Sequence, residues 1–382
     1  MNKPHSPVPS SPLLDHCPAT LPASAYFDAD IFARERKTIW ARNWVYAGRA
    51  NDMAAMSMRR LSVAGENLIL VKDADGVFTS FHNTCRHRGA ELCSVADKRL
   101  KSKLISCPYH GWTYDLKGGL VRTPFVSLTP DFKKEEQGLF EVAVKEWNGF
   151  VFVCLADDPP DFDSVPDPGA GRLDNWPMRD LVTGHVMVKE IACNWKIFWE
   201  NYNECLHCPG IHPELSDMVP VYGKGYMAAN EAPDWTPGTP LPAHQLKDGA
   251  STWSMTGELC GAAFPRLTQE QLAAGSHFVT LLPTMYVVAH ADFVRAVSLR
   301  PLSPERTELR AEFLFAPQTM KTPGFDLKPV VDFAAIVMLQ DGEACEMNQR
   351  GLHSSRYRNG TLMPQEFEVH RFHEWIRRHD QD

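Results

Sequence analysis

Two short segments of the chain each offer one thiolate and one imidazole. They are Cys85-Arg-His87 and Cys107-Pro-Tyr-His110, with nineteen residues between His87 and Cys107. Two thiolates on one iron and two neutral imidazoles on the other make a [2Fe–2S] centre of the Rieske type. Its lower ligand charge raises the reduction potential above that of an all-cysteine cluster. Zinc also accepts two cysteines and two histidines, but zinc frameworks pair cysteine with cysteine and histidine with histidine. Here each segment mixes the two types. Inert core residues do not fit either, because the stretches 82–89 and 107–119 are polar and glycine-bearing. Gly89 and Gly111 suit tight loops that bring backbone close to a cluster. An iron–sulfur cluster is the reading.

A one-electron carrier needs a site to feed, and Glu200-Asn-Tyr-Asn-Glu-Cys-Leu-His-Cys-Pro-Gly-Ile-His212 supplies candidates. A helix is expected over Trp195–Cys208, with Glu204 and His207 on one face. Pro209 and Gly210 then end it and turn His212 back toward the same point. Two histidines and one remote carboxylate form the facial triad of non-haem Fe(II) oxygenases, which leaves positions open for O2. For the carboxylate the candidates are Asp341, Glu343 and Glu346, and helical periodicity does not choose among them. Cys205 and Cys208 flank His207; on a buried helix they read as small hydrophobes rather than zinc ligands.

These groups need two scaffolds. At 382 residues, two domains are expected, and the fold class is α+β. The spacing predicts an arm over 1–22 that is flexible, and a helical segment over 23–43 packing on the second domain. A β-rich domain follows over 44–156, with hairpins at Asn67–Phe81 and Phe140–Leu155. A linker over 157–172 is rich in proline and aspartate. The catalytic domain spans 173–382, with strands at His185–Cys193, His277–Arg300 (interrupted) and Thr307–Phe315, and a long helix at Pro329–Leu352. The net charge of −8 argues against a nucleic-acid partner. A local basic group, Arg86, Arg88, Lys98, Arg99, Lys101 and Lys103, suits an acidic electron donor. No apolar run reaches membrane-spanning length, and Met1–Pro22 has no signal-peptide core. Ten cysteines without a secretory leader point to a reducing compartment, so a cytoplasmic location is expected.

From Tyr26 to Leu352 the chain resembles the α subunit of Rieske non-haem iron oxygenases, the ring-hydroxylating dioxygenase family. The resemblance implies a helix-grip catalytic domain, an antiparallel sheet around a long helix. It implies Cys85, His87, Cys107 and His110 as cluster ligands, and His207, His212 and Asp341 as ligands of a mononuclear Fe(II). Secreted and respiratory Rieske loops carry an extra cysteine each, absent here. Where the family usually has aspartate three residues before the first iron histidine, this chain has Glu204. That glutamate looks like the branch of glycine betaine, carnitine and choline oxygenases and certain N-dealkylases. The family implies a head-to-tail homotrimer in which Glu204 links the iron site to His110 of the next subunit. It also implies a separate NAD(P)H-dependent reductase, with or without a ferredoxin. No dinucleotide-binding fingerprint occurs in the chain, in keeping with a separate donor. The expected reaction is O2-dependent N-demethylation of a small amine, quaternary ammonium or N-alkyl xenobiotic, in which a hydroxylated carbon beside nitrogen collapses to an aldehyde. Hydroxylation or cis-dihydroxylation of an aromatic ring is the alternative. Trp235, Trp253, Tyr286 and Phe293 are available for an aromatic cage around a quaternary nitrogen.

Overall fold

The computed structural model describes residues 10–242 and 244–381. Helix α1 (Ala29–Glu35) is capped by Asp28, whose carboxylate accepts from the amides of Asp30 and Ile31, and runs into a wider helical turn over Arg36–Trp40. Ten strands follow: β1 (Val45–Arg49), β2 (Ser57–Val63), β3 (Glu66–Lys72), β4 (Phe78–His82), β5 (Asp97–Arg99), β6 (Leu104–Ser106), β7 (Thr113–Asp115), β8 (Leu120–Arg122), β9 (Glu141–Trp147) and β10 (Phe150–Cys154). Seven of them form one antiparallel sheet in the order β1-β10-β9-β4-β3-β2-β5, and β6-β7-β8 form a small one. Continuous apolar runs explain the centre: Phe150 to Cys154 are all buried, as are Leu68 to Val71. The β3–β4 turn is made by Asp73, whose carboxylate accepts from the amides of Asp75 and Val77.

The second half opens with β11 (Val182–Ile191), α2 (Trp195–Tyr202), α3 (Cys208–Ile211), α4 (Pro213–Met218) and α5 (Gln269–Ala274). Then come β12 (His277–Leu281), β13 (Met285–Ala289), β14 (Phe293–Ser303), β15 (Arg306–Phe315), α6 (Pro317–Met320), α7 (Lys328–Leu352) and α8 (Phe367–His379). The five strands form an antiparallel sheet, β11-β15-β14-β13-β12, over which α2 and α7 lie. The two large sheets share a core in which Trp44, Phe150 and Phe152 meet Phe162, Val279 and Leu314.

Several expectations need correction. The helix expected to reach Cys208 ends at Tyr202, because the Glu204 carboxylate captures the amides of Leu206 and His207 that would otherwise continue it. Pro209 and Gly210 therefore do not terminate that helix; they lie within the short α3. The interrupted strand at 277–300 is three strands. Residues 14–23, expected mostly within a flexible arm, are hydrogen-bonded to 358–364: Thr20 N donates to Gly360 O, and Ala19 bridges Thr361. Residues 1–9 of that arm lie outside the described residues. The C-terminal α8, not anticipated, seats Phe372 and Ile376 in the core beside α2.

Candidate metal centres

The two cysteine–histidine segments fold as matching loops. The Cys85 amide donates to Ala90 O, and Gly89 N donates back to Cys85 O; the Cys107 amide donates to Trp112 O, and Gly111 N to Cys107 O. Each loop needs a left-handed residue at its fifth position, met by Gly89 (φ 74°) and Gly111 (φ 72°). Both thiols are 3% exposed, whereas His87 is exposed and His110 half-buried, with their rings 4.7 Å apart. Soft ligands thus point inward and imidazoles outward, a donor set that fits a [2Fe–2S] cluster with its histidine-bound iron at the surface. Trp112 stacks on His87 at 4.9 Å. The Tyr114 hydroxyl accepts from Arg86 N and lies 3.2 Å from Cys85 Sγ, which leaves its proton for the sulfur. Burial pushes the Cys85 thiol up, and that hydroxyl opposes it. Tyr114 and Trp112 had no signal beyond their place next to the motif. Of the basic group, Arg86 is used internally, on Gly138 O and over the Phe140 ring. Arg88, Lys98, Arg99, Lys101 and Lys103 are exposed, Arg88 donating to the Tyr109 hydroxyl and lying 3.1 Å from His110 Nε2, and Arg99 donating to Ala55 O.

In the second half, His207, His212 and Asp341 offer ligand atoms that all lie within 4.8 Å of one another. His207 leads into α3, His212 follows it, and Asp341 comes from the middle of α7. Both imidazoles are oriented through Nδ1. His207 Nδ1 donates to Glu204 Oε1 at 2.5 Å, and His212 Nδ1 donates to Gln340 Oε1 at 2.8 Å. Gln340 in turn donates to Glu214 at 2.9 Å. Each Nε2 then faces Asp341 Oδ1, at 3.6 Å from His207 and 2.9 Å from His212. Fixing Nδ1–H to an outer acceptor is how ligand histidines are held in the metal-binding tautomer. Burial alone would lower the His207 imidazolium, yet Asp341 and Glu204 overrule it and lift the group to about 9. Burial would raise the Asp341 carboxyl, but the two histidines hold it below its usual range. Two carboxylates around two imidazoles call for positive charge, which a divalent iron supplies. The residues fit the ion.

Of the rival acids, Glu343 is exposed, and Glu346 accepts from the Ala192 amide at 3.0 Å. Cys205 and Cys208 are buried as expected, but they are bonded to each other rather than free thiols. The remaining eight cysteines are free. The part Gln340 plays in orienting His212 was missed, although the Gln340-Asp341 dipeptide marks the ligand position in the family resemblance.

A cavity of about 80 Å³ opens on this group of residues, lined by Tyr202, Tyr222, Trp253, Phe278, Tyr286 and Arg295 among others. Trp253 and Tyr286 are two of the four aromatics the sequence made available for a cage. Phe293 is not part of the lining; it stacks on His290 at 4.3 Å. Trp235 also lies outside it. Among the described residues, no helix is long and apolar enough to cross a membrane.

Comparison with known proteins agrees with these features. Residues 178–381 match the ring-hydroxylating alpha subunit catalytic domain, and residues 43–133 match the Rieske [2Fe–2S] domain. The glycine betaine monooxygenase oxygenase subunit of Pseudomonas aeruginosa is 29% identical, over 93% of this chain and 88% of its own length. The carnitine monooxygenase oxygenase subunit of Acinetobacter baumannii is 27% identical, over 90% and 88%. Among solved structures, the quaternary ammonium Rieske monooxygenase CntA with L-carnitine covers 96% of both chains at a TM-score of 0.71 and 21% identity. Naphthalene 1,2-dioxygenase from a Rhodococcus species covers 94% of both at 0.69 and 18%. The β-rich first domain and the α+β second domain are those of Rieske oxygenases. The chain belongs to the ring-hydroxylating alpha-subunit family, oxygenases built on a Rieske [2Fe–2S] cluster and a mononuclear non-haem iron.

Proposed function

We propose that the chain is the terminal oxygenase of a multicomponent Rieske monooxygenase that removes an N-methyl group from a small quaternary ammonium compound. Cys85, His87, Cys107 and His110 hold the cluster, and His207, His212 and Asp341 hold the iron. When bound, the iron activates O2 with electrons delivered through the cluster. The observation that carries the substrate reading is the small, aromatic-lined cavity beside the three ligands. At about 80 Å³ it is several-fold smaller than pockets for drug-sized ligands, ~300–1,000 Å³. Aromatic faces attract a quaternary nitrogen and need no hydrogen bond from it. Trp253 and Tyr286, joined by Tyr202 at 4.1 Å from Tyr286, supply such faces. The names of the relatives, glycine betaine and carnitine monooxygenases, support the same class.

The protein's own residues would orient and exclude. Glu204 and Gln340 hold the two imidazoles, and the apolar lining keeps water from the carbon being hydroxylated. Hydroxylation next to nitrogen gives a species that collapses to formaldehyde and the demethylated amine. Electrons come from a separate NAD(P)H-dependent reductase, alone or through a ferredoxin, which docks on the exposed basic face around Lys98 and Lys101. Glu204, only 14% exposed but reached by a surface groove that also holds Glu200, Glu366 and His373, is the acceptor for His110 of a neighbouring subunit in a homotrimer. The test is turnover of the iron-loaded protein with reductase, O2 and a panel of N-methyl compounds. Formaldehyde equimolar with O2 consumed is the expected result. A hydroxylated ring product without aldehyde overturns the reading in favour of arene oxidation.

A further inference from the structure

Arg295 is a charged residue in the middle of a buried apolar strand. Its neighbours on β14, Val294 and Ala296, are 0% and 1% exposed, and Arg295 itself is 6% exposed. Its side chain reaches the cavity at the iron ligands. Among the described residues it has no hydrogen bond or ion pair, and its Nε is buried without a partner. The one favourable contact is the Trp253 ring, 6.0 Å from the guanidinium carbon. A cation–π contact at that distance recovers only part of what burial of a guanidinium costs. A guanidinium carries five donors in a planar fork suited to a carboxylate, and none of them is used here.

We infer that Arg295 is a substrate-binding residue that takes a carboxylate, so the substrate is an ammonium carboxylate and not a simple cation. The inference rests on the proposal that this cavity is where the substrate is oxidised. The lining carries charge of both signs. Asp341 and Glu204 lie at the histidine end, and Arg295 is the only lysine or arginine among the lining residues. Tyr286 stands near both: burial pushes its phenol up to about 12, Arg295 pulls against that, and Asp341 adds to it. A carboxylate on Arg295 would anchor one end of the substrate and leave the N-methyl end toward the iron ligands. A monocation such as a choline-type amino alcohol would share a narrow cavity with an unneutralised guanidinium and be repelled. The aromatic faces favour the onium group; Arg295 decides which onium compounds stay.

The test uses the holoenzyme with both metal centres loaded and measures binding by calorimetry. Three trimethylammonio acids of two to four carbons are each compared with their methyl esters, and choline serves as the cationic control. The wild type is expected to bind at least one acid ~10- to 100-fold tighter than its ester, the range of one charge-assisted hydrogen-bonded contact. Arg295→Gln should lose that preference by weakening the acid and leaving the ester within about 3-fold. Arg295→Lys should restore part of it. No preference in the wild type, no detectable binding of any acid, or equal weakening of acid and ester in Arg295→Gln with both centres still loaded each overturns the inference. The wild-type comparison needs no variant to fold. Formaldehyde release is measured alongside. Carboxylate preference without formaldehyde sinks N-demethylation and keeps the anchor; formaldehyde without carboxylate preference does the reverse.

Discussion

Replacing Glu204 by glutamine separates two jobs that its carboxylate is in a position to do. One oxygen accepts from His207 Nδ1 at 2.5 Å; the other accepts from the Leu206 amide and, at 3.4 Å, from the His207 amide. A glutamine keeps one acceptor and turns the other into a donor, so it serves the imidazole or the turn but not both. The loss is about one charge-assisted hydrogen bond, ~1.5–3 kcal/mol, or ~10- to 100-fold in iron affinity if it appears there in full. Iron content after dialysis against graded Fe(II) measures that change. The second job is tested by activity at saturating Fe(II), where orientation alone would be rescued and electron transfer between subunits would not. Turnover of Glu204→Gln is expected to stay at least ~100-fold down with the visible spectrum of the cluster intact. Mixing then decides. In rings assembled from equal parts of Glu204→Gln and His110→Ala subunits, an intact His110 faces an intact Glu204 at about one interface in four. Roughly a quarter of wild-type activity should return on co-refolding or co-expression, from two inactive parents. Mixtures as inactive as the parents would refute transfer between subunits.

Asp341→Ala should abolish mononuclear iron binding and spare the cluster spectrum, whereas Glu343→Ala and Glu346→Ala should keep the iron; metal analysis beside visible absorption checks all three. Tyr114→Phe removes the hydroxyl 3.2 Å from Cys85 Sγ and should move the cluster midpoint to more negative potential, read by redox titration. Glu35→Ala leaves the ammonium of Lys196, 0% exposed and 2.6 Å from Glu35, without its partner, and should destabilise the fold by ~3–5 kcal/mol in urea unfolding. Glu231, buried and with no cation partner among the described residues, has its carboxyl raised to about 7 by burial, so the folded state holds a proton that the unfolded chain releases near 4.5. Stability from this group is therefore present below about 4.5 and lost as pH rises toward about 7. Glu231→Gln, which retains an acceptor for Met227 N, should flatten that loss when unfolding midpoints at pH 5 and pH 8 are compared.

Candidate ligands close together in sequence were legible as groups because a short loop leaves their side chains few arrangements. Cys85 with His87, Cys107 with His110, and Glu204 with His207 and His212 all belong to this kind. Asp341 was not decidable from periodicity, since it stands 129 residues from His212 and shares its helix with two other candidate acids, Glu343 and Glu346. What distinguishes them is where the sheet ends: Glu346 meets the free amide of Ala192, and Glu343 meets solvent. The end of α2 was misread for a local reason. Asn-Glu-Cys-Leu-His has ordinary helical propensity, and only the side chain of Glu204 turning onto its own following amides breaks the ladder. Arg295 carried a signal that went unused: an arginine between valine and alanine inside an apolar strand is costly unless something meets it. Which face of β14 it occupies depends on pairing opposite Val288 and Phe313, a register set by two other strands.

Packing matters for the candidate iron ligands as well, because α7 lies far along the chain from the loop that carries the histidines. Besides Gln340, which bonds His212 and Glu214, other side chains on α7 tie the helix to the β11–α2 junction. Glu346 accepts from Ala192 N at 3.0 Å, and Gln349 accepts from Asn194 N at 2.8 Å and donates to Glu305 at 3.0 Å. Gly342 brings the helix close to the sheet, where a Cβ would meet Ile191 Cγ2 at 3.3 Å. Asp341 lies about 12 Å along the helix from Gln349, eight residues at ~1.5 Å each. A slip of one residue would move the carboxylate by ~1.5 Å and swing it by ~100° about the axis, out of reach of both imidazoles. The same junction begins α2, which leads to Glu204 and His207. The two parts of the site, distant in sequence, are thus both tied to one short stretch of backbone, and of the acids on α7 Asp341 faces the two histidines while Glu346 holds the helix to that stretch.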